Sequence, residues 1–336
     1  MNQALRSLLL AGAGLAALLG VDAKAADIEI VMALPSPTLT FSAAFIAQDA
    51  GYYAKEGLKV SDRNLTGVAS TNAVIAGSAD FTVSTGATFA RAVANGQKLY
   101  AIAVLVDKPL VELVMRKDVA DAAGITEKTP LNDRLKALKG KTVAVQGIGS
   151  IIHAMERLTA RRVGLDPDKD VTVAPMEPPQ MLPAMMAKQI DAFATSLPFT
   201  TEPVVKGQAI MLASGPAGDL PEYNPFAYVL LQTRKEVCDK DHAKCEKVAH
   251  ALTEATRLIV DHPDEALKIL KPRFAQMDPQ VLEAAWKVVA SAHTKDTRVP
   301  LKSLENSQQF SVDAGLLEQK DVLKDFSGLY TDDFVK

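Results

Sequence analysis

The chain has 336 residues, with Lys+Arg 37 against Asp+Glu 40 and a formal net charge of −3. Setting aside a leader that carries Arg6, Lys24 and Asp22 leaves 35 bases against 39 acids, a net charge of −4. That balance argues against nucleic acid or an anionic membrane as a partner, and the length suits two domains.

Residues 1–25 read as a secretory leader. Arg6 gives the positive start, residues 8–20 are an apolar run too short to span a bilayer, and Ala23-Lys24-Ala25 fits the small-x-small cleavage rule. The mature chain is therefore expected to begin at Ala26, in a bacterial periplasm. No cysteine lies near this junction to take a lipid anchor, and no later run is long and apolar enough to cross a membrane.

Strands and helices then alternate. Ile28, Ile30 and Met32 mark a first strand, and Leu34-Pro35-Ser36-Pro37-Thr38 is a loop. Phe41, Ala44, Phe45 and Gln48 recur at helical spacing up to Gly51. A strand through residue 60 follows, then a loop at 67–71 in which Ser70 or Thr71 is expected to cap the next helix. Residues 79–83 are a third strand, Ser84-Thr85-Gly86-Ala87-Thr88 a loop entering another helix, and residues 99–106 a fourth strand. The apolar run 110–116 reads as a first crossing between lobes, and the polar stretch 118–135 as loop with a short helix.

Residues 138–195 carry the clearest pattern. Residues 142–145 form a buried strand, broken by Gly147 and Gly149, with Ser150 as the N-cap of a helix that Gly164 stops. Strand 171–173, helix 180–188 and strand 192–194 complete a parallel unit with right-handed crossovers. Ligand sites lie at the carboxyl ends of such strands, and the 147–150 turn aims backbone N–H groups and a helix N-terminus there, which suits an anion or polar ligand. A strand at 210–213, a Gly- and Pro-rich loop at 215–225 and an apolar run at 226–232 crossing back follow. The rest is helical: 242–260, 264–270, 279–293 and 301–314. The order describes two α/β lobes joined by two crossings, with these helices packed on the first lobe.

Enzyme motifs are missing or incomplete. Gly147-Ile148-Gly149 is followed by Ile152 where a dinucleotide fingerprint needs glycine. Gly140-Lys141-Thr142 precedes a strand, unlike a phosphate-binding loop, and Thr82-Val83-Ser84-Thr85-Gly86 lacks the first glycine of a nucleophile elbow. The two cysteines, Cys238 and Cys245, are most simply a disulfide in an oxidising compartment. A metal site from Cys238, His242, Cys245 and His250 would match no standard zinc spacing. No cofactor is called for.

Six short motifs run along the chain in order: Gly51-Tyr52-Tyr53-Ala54-Lys55-Glu56-Gly57-Leu58, Ala76-Gly77-Ser78-Ala79-Asp80-Phe81 and Leu138-Lys139-Gly140-Lys141-Thr142, then Val163-Gly164-Leu165-Asp166-Pro167, Gln189-Ile190-Asp191-Ala192-Phe193 and Phe326-Ser327-Gly328-Leu329-Tyr330. Taken together, this ordered set resembles the periplasmic substrate-binding proteins of ABC importers, in the nitrate/sulfonate/taurine group (NMT1/THI5-like, SsuA-like). One departure stands out: the family often has Glu-Pro after the strand ending at 194, where this chain has Ser196-Leu197-Pro198-Phe199, with Glu202-Pro203 later.

The resemblance implies an α/β Venus flytrap of the type II periplasmic-binding-protein class. Residues 26–112 and 229–336 would form lobe 1 and residues 113–228 lobe 2. Ligand contacts are expected from Ser36, Thr38, Ser70, Thr71, Ser84 and Thr85 in the first lobe and from Gln146, Gly149, Ser150 and Ser196 in the second, with Phe41 and Phe199 as apolar walls. The implied function is capture of a small anion (sulfonate, nitrate-like or carboxylate) by a monomer without turnover, for delivery to an inner-membrane permease. A pyrimidine precursor of thiamine as ligand, or a sensor role at a membrane receptor, are the alternatives.

Overall fold

The computed structural model describes residues 27–335. The expected leader and its cleavage point at Ala26 lie outside them. The first half of the chain runs β1 (Ile28–Leu34), α1 (Ser42–Asp49), α2 (Tyr52–Lys55), β2 (Leu58–Asn64), α3 (Ala69–Ile75), β3 (Phe81–Ser84), α4 (Gly86–Ala94) and β4 (Leu99–Val106). A crossing leads to β5 (Val111–Arg116), α5 (Lys117–Ala122), α6 (Leu131–Lys136), β6 (Lys141–Val145), α7 (Ile151–Arg162), β7 (Val171–Pro175), α8 (Pro178–Met186), β8 (Ala192–Ser196), α9 (Thr201–Val205) and β9 (Ala209–Ser214). The chain returns through β10 (Val229–Arg234) and ends in α10 (Lys235–Lys240), α11 (His242–Asp261), α12 (Pro263–Leu270), α13 (Pro279–Ala290) and α14 (Leu301–Asp313).

Two five-stranded sheets result, β2-β1-β3-β10-β4 and β7-β6-β8-β5-β9. Their construction is the same. β1 runs parallel to β2 and β3, and β6 parallel to β7 and β8. Each crossing then delivers one antiparallel strand: β10 pairs Leu230 with Ser84, and β5 pairs Val111 with Ser196. β3, β4, β8 and β10 are buried along almost their whole length, which is why they read as continuous apolar runs rather than alternating ones.

The carboxyl ends of β1, β3, β6 and β8 face a common cleft, and the loops after them start helices there. α8 begins earlier than the periodicity predicts, because Pro178 and Pro179 occupy its first positions, where a missing N–H costs nothing. α3 also begins early, at Ala69 with Val68 as N-cap. Ser70 and Thr71 therefore lie inside its first turn and are not its cap. The polar stretch after β5 holds two short helices, α5 and α6, where one was expected.

Cys238 and Cys245 are joined in a disulfide that ties α10 to the first turn of α11. The terminal helices are not confined to one lobe. α11 packs on α1, α2 and β4, but α14 lies against both α4 of the first lobe and α7 of the second, and α13 against α9 and the turn at 39–41. Arg157 of α7 donates to the carbonyl of Ala314 (2.8 Å) and Tyr223 to the carboxylate of Asp313 (2.6 Å), so the end of α14 is tied to second-lobe and crossing residues.

Candidate functional site

A narrow cavity of about 30 Å³ lies between the two sheets. That space holds about two water molecules. From the first lobe it is lined by Ser36, Thr40 and Phe41 after β1, by Gly67 after β2, and by Ser84, Thr85 and Thr88 around the start of α4. The second lobe supplies Gln146, Ser150, Ile151 and Ile152, from β6 into α7, and Ser196 at the end of β8. Tyr228 closes it from the return crossing, where its backbone N–H is held by the carbonyl of Val106 (3.0 Å). No acidic or basic side chain is among these lining residues.

Two helices begin at this cavity, each capped by a lining hydroxyl. Thr85 accepts from the N–H of Thr88 (3.2 Å) and shares a hydrogen bond with the Thr88 hydroxyl (3.1 Å). Ser150 accepts from the N–H of His153 (3.1 Å). The partial positive charge of both helix N-termini is directed into the same space. The Thr40 hydroxyl is buried and has no hydrogen-bond partner. Ser196 and Tyr228 share a hydrogen bond (3.1 Å), and burial raises the pKa of the tyrosine, so it stays a neutral O–H.

Of the twelve residues expected to contact ligand, seven line this cavity: Ser36, Phe41, Ser84, Thr85, Gln146, Ser150 and Ser196. The other five are placed differently. Thr38 is buried with its hydroxyl turned to Ser36 (3.2 Å), and Ser70 bonds the carbonyl of Gly67 (3.1 Å). Thr71 is buried with its hydroxyl unpartnered and is not among the residues lining the cavity. Phe199 lines a separate, wider groove of about 590 Å³ with Pro37, α8 and the segment 273–277. Gly149 lies behind the wall, with φ +77°; its N–H donates to Nδ1 of His153 (2.9 Å).

The carbonyl of Gly149 accepts a hydrogen bond from the guanidinium of Arg91, on α4 of the opposite lobe. Arg91 is not among the residues that the sequence leads one to expect at the site. Its signal was its spacing: Thr85, Thr88 and Arg91 follow at intervals of three, which puts them on one face of α4. Thr40, Thr88 and Tyr228 were missed for a related reason, since each lies just beyond a loop where the chain has already entered a helix, turn or crossing. The lobes meet elsewhere too. Thr66 donates to the carboxylate of Glu177, and a β-carbon on Gly67 would stand 3.4 Å from that of Ser150. The cleft is closed.

The NMT1/THI5-like family model matches residues 39–266, well over half of the chain. No curated protein matches the sequence. Among solved structures, a protein from Bordetella bronchiseptica RB50 is 19% identical with a TM-score of 0.78, the match covering 92% of this chain and 96% of that one. The alkanesulfonate-binding protein SsuA from Xanthomonas axonopodis pv. citri, bound to MOPS, is 19% identical with a TM-score of 0.69 (89% and 97% covered). The periplasmic nitrate-binding protein NrtA from Synechocystis PCC 6803 is 15% identical with a TM-score of 0.64 (87% and 83% covered). At these identities the likeness concerns the fold. With the family match and the paired five-stranded sheets, it makes this chain a member of the NMT1/THI5-like family with the two-lobe α/β fold of periplasmic binding proteins.

Proposed function

We propose that this chain is the exported solute-binding component of an ABC importer, which closes two lobes on a small anion and delivers it to an inner-membrane permease. One observation carries the reading. Hydroxyls from both lobes, the Gln146 amide and the N-termini of α4 and α7 converge on one cavity whose lining includes no carboxylate. Neutral donors and helix N-termini satisfy an anion without a fixed cation in contact with it. The names of two structural neighbours, an alkanesulfonate binder and a nitrate binder, point the same way.

The lobes hinge where β4 passes to β5 and β9 to β10; since β5 starts at Val111, the first crossing comes just before the expected bound at 112/113. The ligand is a compact anion such as a nitrate-like ion, a sulfonate or a carboxylate, for which the uncharged lining offers hydroxyl, amide and helix N-terminal donors. The protein binds without turnover, as a monomer, at micromolar affinity or tighter, which corresponds to about −8 kcal/mol.

The test is a thermal-shift panel of nitrate, ethanesulfonate, acetate, benzoate and an aminopyrimidine, followed by titration calorimetry. A ligand that binds only the folded state raises the midpoint by mass action. A selective shift with an anion supports the reading. A shift with the aminopyrimidine alone overturns it in favour of a pyrimidine carrier.

A further inference from the structure

Arg91 is a cation whose charge the protein leaves uncompensated. It lies on α4, one helical turn beyond Thr88, and its guanidinium crosses the cleft to the carbonyl of Gly149. That acceptor is neutral. Among the described residues, no carboxylate stands within ion-pair distance of Arg91. Burial draws its pKa down to about 10, with no opposing acid, so it remains charged at neutral pH. By contrast, Arg157 on α7 is neutralised by two bonds to Asp168 (2.5 and 3.0 Å).

The Gly149 peptide is what Arg91 grips. The left-handed backbone there, φ +77°, turns the carbonyl towards α4 and the N–H towards Nδ1 of His153. That nitrogen accepts only while the ring is neutral. Burial first, and then the charges of Arg157 and Arg91, hold its pKa near 4. The next residue, Ser150, caps α7 and lines the cavity. The guanidinium is thus one peptide unit from the cavity wall.

We propose that Arg91 supplies the positive charge that makes the cleft select anions, and that it couples anion capture to closure of the lobes. This rests on the reading of the cleft as an anion site. Closing the empty cleft takes a guanidinium partly out of water for one neutral hydrogen bond, which is unfavourable. An anion beside Ser150 and Thr85 provides the missing countercharge in a low-dielectric site. It therefore binds the closed state better than the open one, and only such a difference shifts the population. A neutral ligand of the same shape brings no such gain, so the uncompensated charge also discriminates. Arg91 acts through Gly149 and through space, as a positioning residue.

The test compares wild type with Arg91→Met and Arg91→Lys, using nitrate, ethanesulfonate and acetate as probes. Titrations run from low to high NaCl, and small-angle scattering follows compaction. Arg91→Met is expected to bind the anions about 10- to 100-fold more weakly, to lose most of the salt dependence of binding and to compact less at saturation. Arg91→Lys keeps the charge and should stay within about 10-fold of wild type. The ligand-free melting midpoint of Arg91→Met should be equal to or above that of wild type, because an uncompensated charge has been removed. Anion affinity and salt slope unchanged in Arg91→Met overturn the inference alone. A wild type that binds none of the three anions overturns the anion reading and this inference together.

Discussion

Gly67 and Ser150 face each other across the cleft, one from each lobe, so closely that a β-carbon on Gly67 would lie 3.4 Å from the β-carbon of Ser150. The lobes come to contact distance here because one partner has no side chain. Gly67→Val adds branches that have no room in the closed form, and it also strains a backbone at φ +60°. Ligand affinity should fall more than about tenfold, and scattering should show less compaction on saturation. Gly67→Ala is the control for the strain, about 1–2 kcal/mol at a left-handed position. A valine variant that binds as well as the alanine one would show that the lobes do not need this approach.

The Ser196–Tyr228 hydrogen bond joins the end of a second-lobe strand to the return crossing at the edge of the cavity. Tyr228→Phe keeps the ring and deletes the bond. A neutral hydrogen bond is worth about 0.5–1.5 kcal/mol net, so affinity should fall by about 2- to 10-fold. Calorimetry at constant pH measures it. No change in affinity would assign the bond to the fold alone.

Glu156 on α7 is fully buried, and neither carboxylate oxygen has a hydrogen-bond partner. Burial pushes its pKa up to about 7 from the ordinary 4.5. The folded chain keeps a proton that the unfolded chain releases between pH 4.5 and 7. Stability from this group is therefore complete below pH 4.5 and lost as pH rises through 7. His153 and His293 act in the opposite sense. Burial leads in holding both near 4, so each costs stability as pH falls from 6.5 towards 4. Glu156→Gln leaves the histidines in place and removes only the first effect. Urea unfolding should find the variant equal to wild type at pH 4 and more stable at pH 8, by up to about 3 kcal/mol. A difference that does not change with pH would sink this account.

The disulfide between Cys238 and Cys245 closes a short loop joining α10 to α11, and both cysteines are buried. Reduction, or a Cys238→Ser/Cys245→Ser double variant, should cost about 2–3 kcal/mol in the chain-entropy model. Thiol labelling without reductant should find neither cysteine reactive. A melting midpoint unaffected by reductant would show that α11, packed on α1 and β4, holds this corner unaided.

Much of the architecture was legible locally. The strands that became β4, β6 and β8 are short β-branched or apolar runs, and glycines such as Gly140 and Gly164 mark the turns beside them. Ser150 could be recognised as a helix cap because a cap is decided by a few neighbouring residues. Ser70 and Thr71 misled for the same local reason: they resemble caps, but α3 starts one residue before them. Thr38 was indistinguishable in sequence from Ser36, two residues away in the same loop. Only the three-dimensional path of the loop turns one to the cavity and the other to its neighbour.

The sequence by itself determined the order of elements, the two-lobe class and the hydroxyl-bearing loops that follow the strands. Those follow from periodicity, turn residues and caps, which act over a few residues. The tertiary structure decided which hydroxyls share one cavity, that α14 spans both lobes, and that Arg91 meets Gly149, 58 residues away, with no carboxylate of the described residues in ion-pair range. Such properties depend on which distant segments are packed together and on which charges remain unpaired after packing. No local pattern carries that information, because burial and charge compensation are created only when the chain closes on itself.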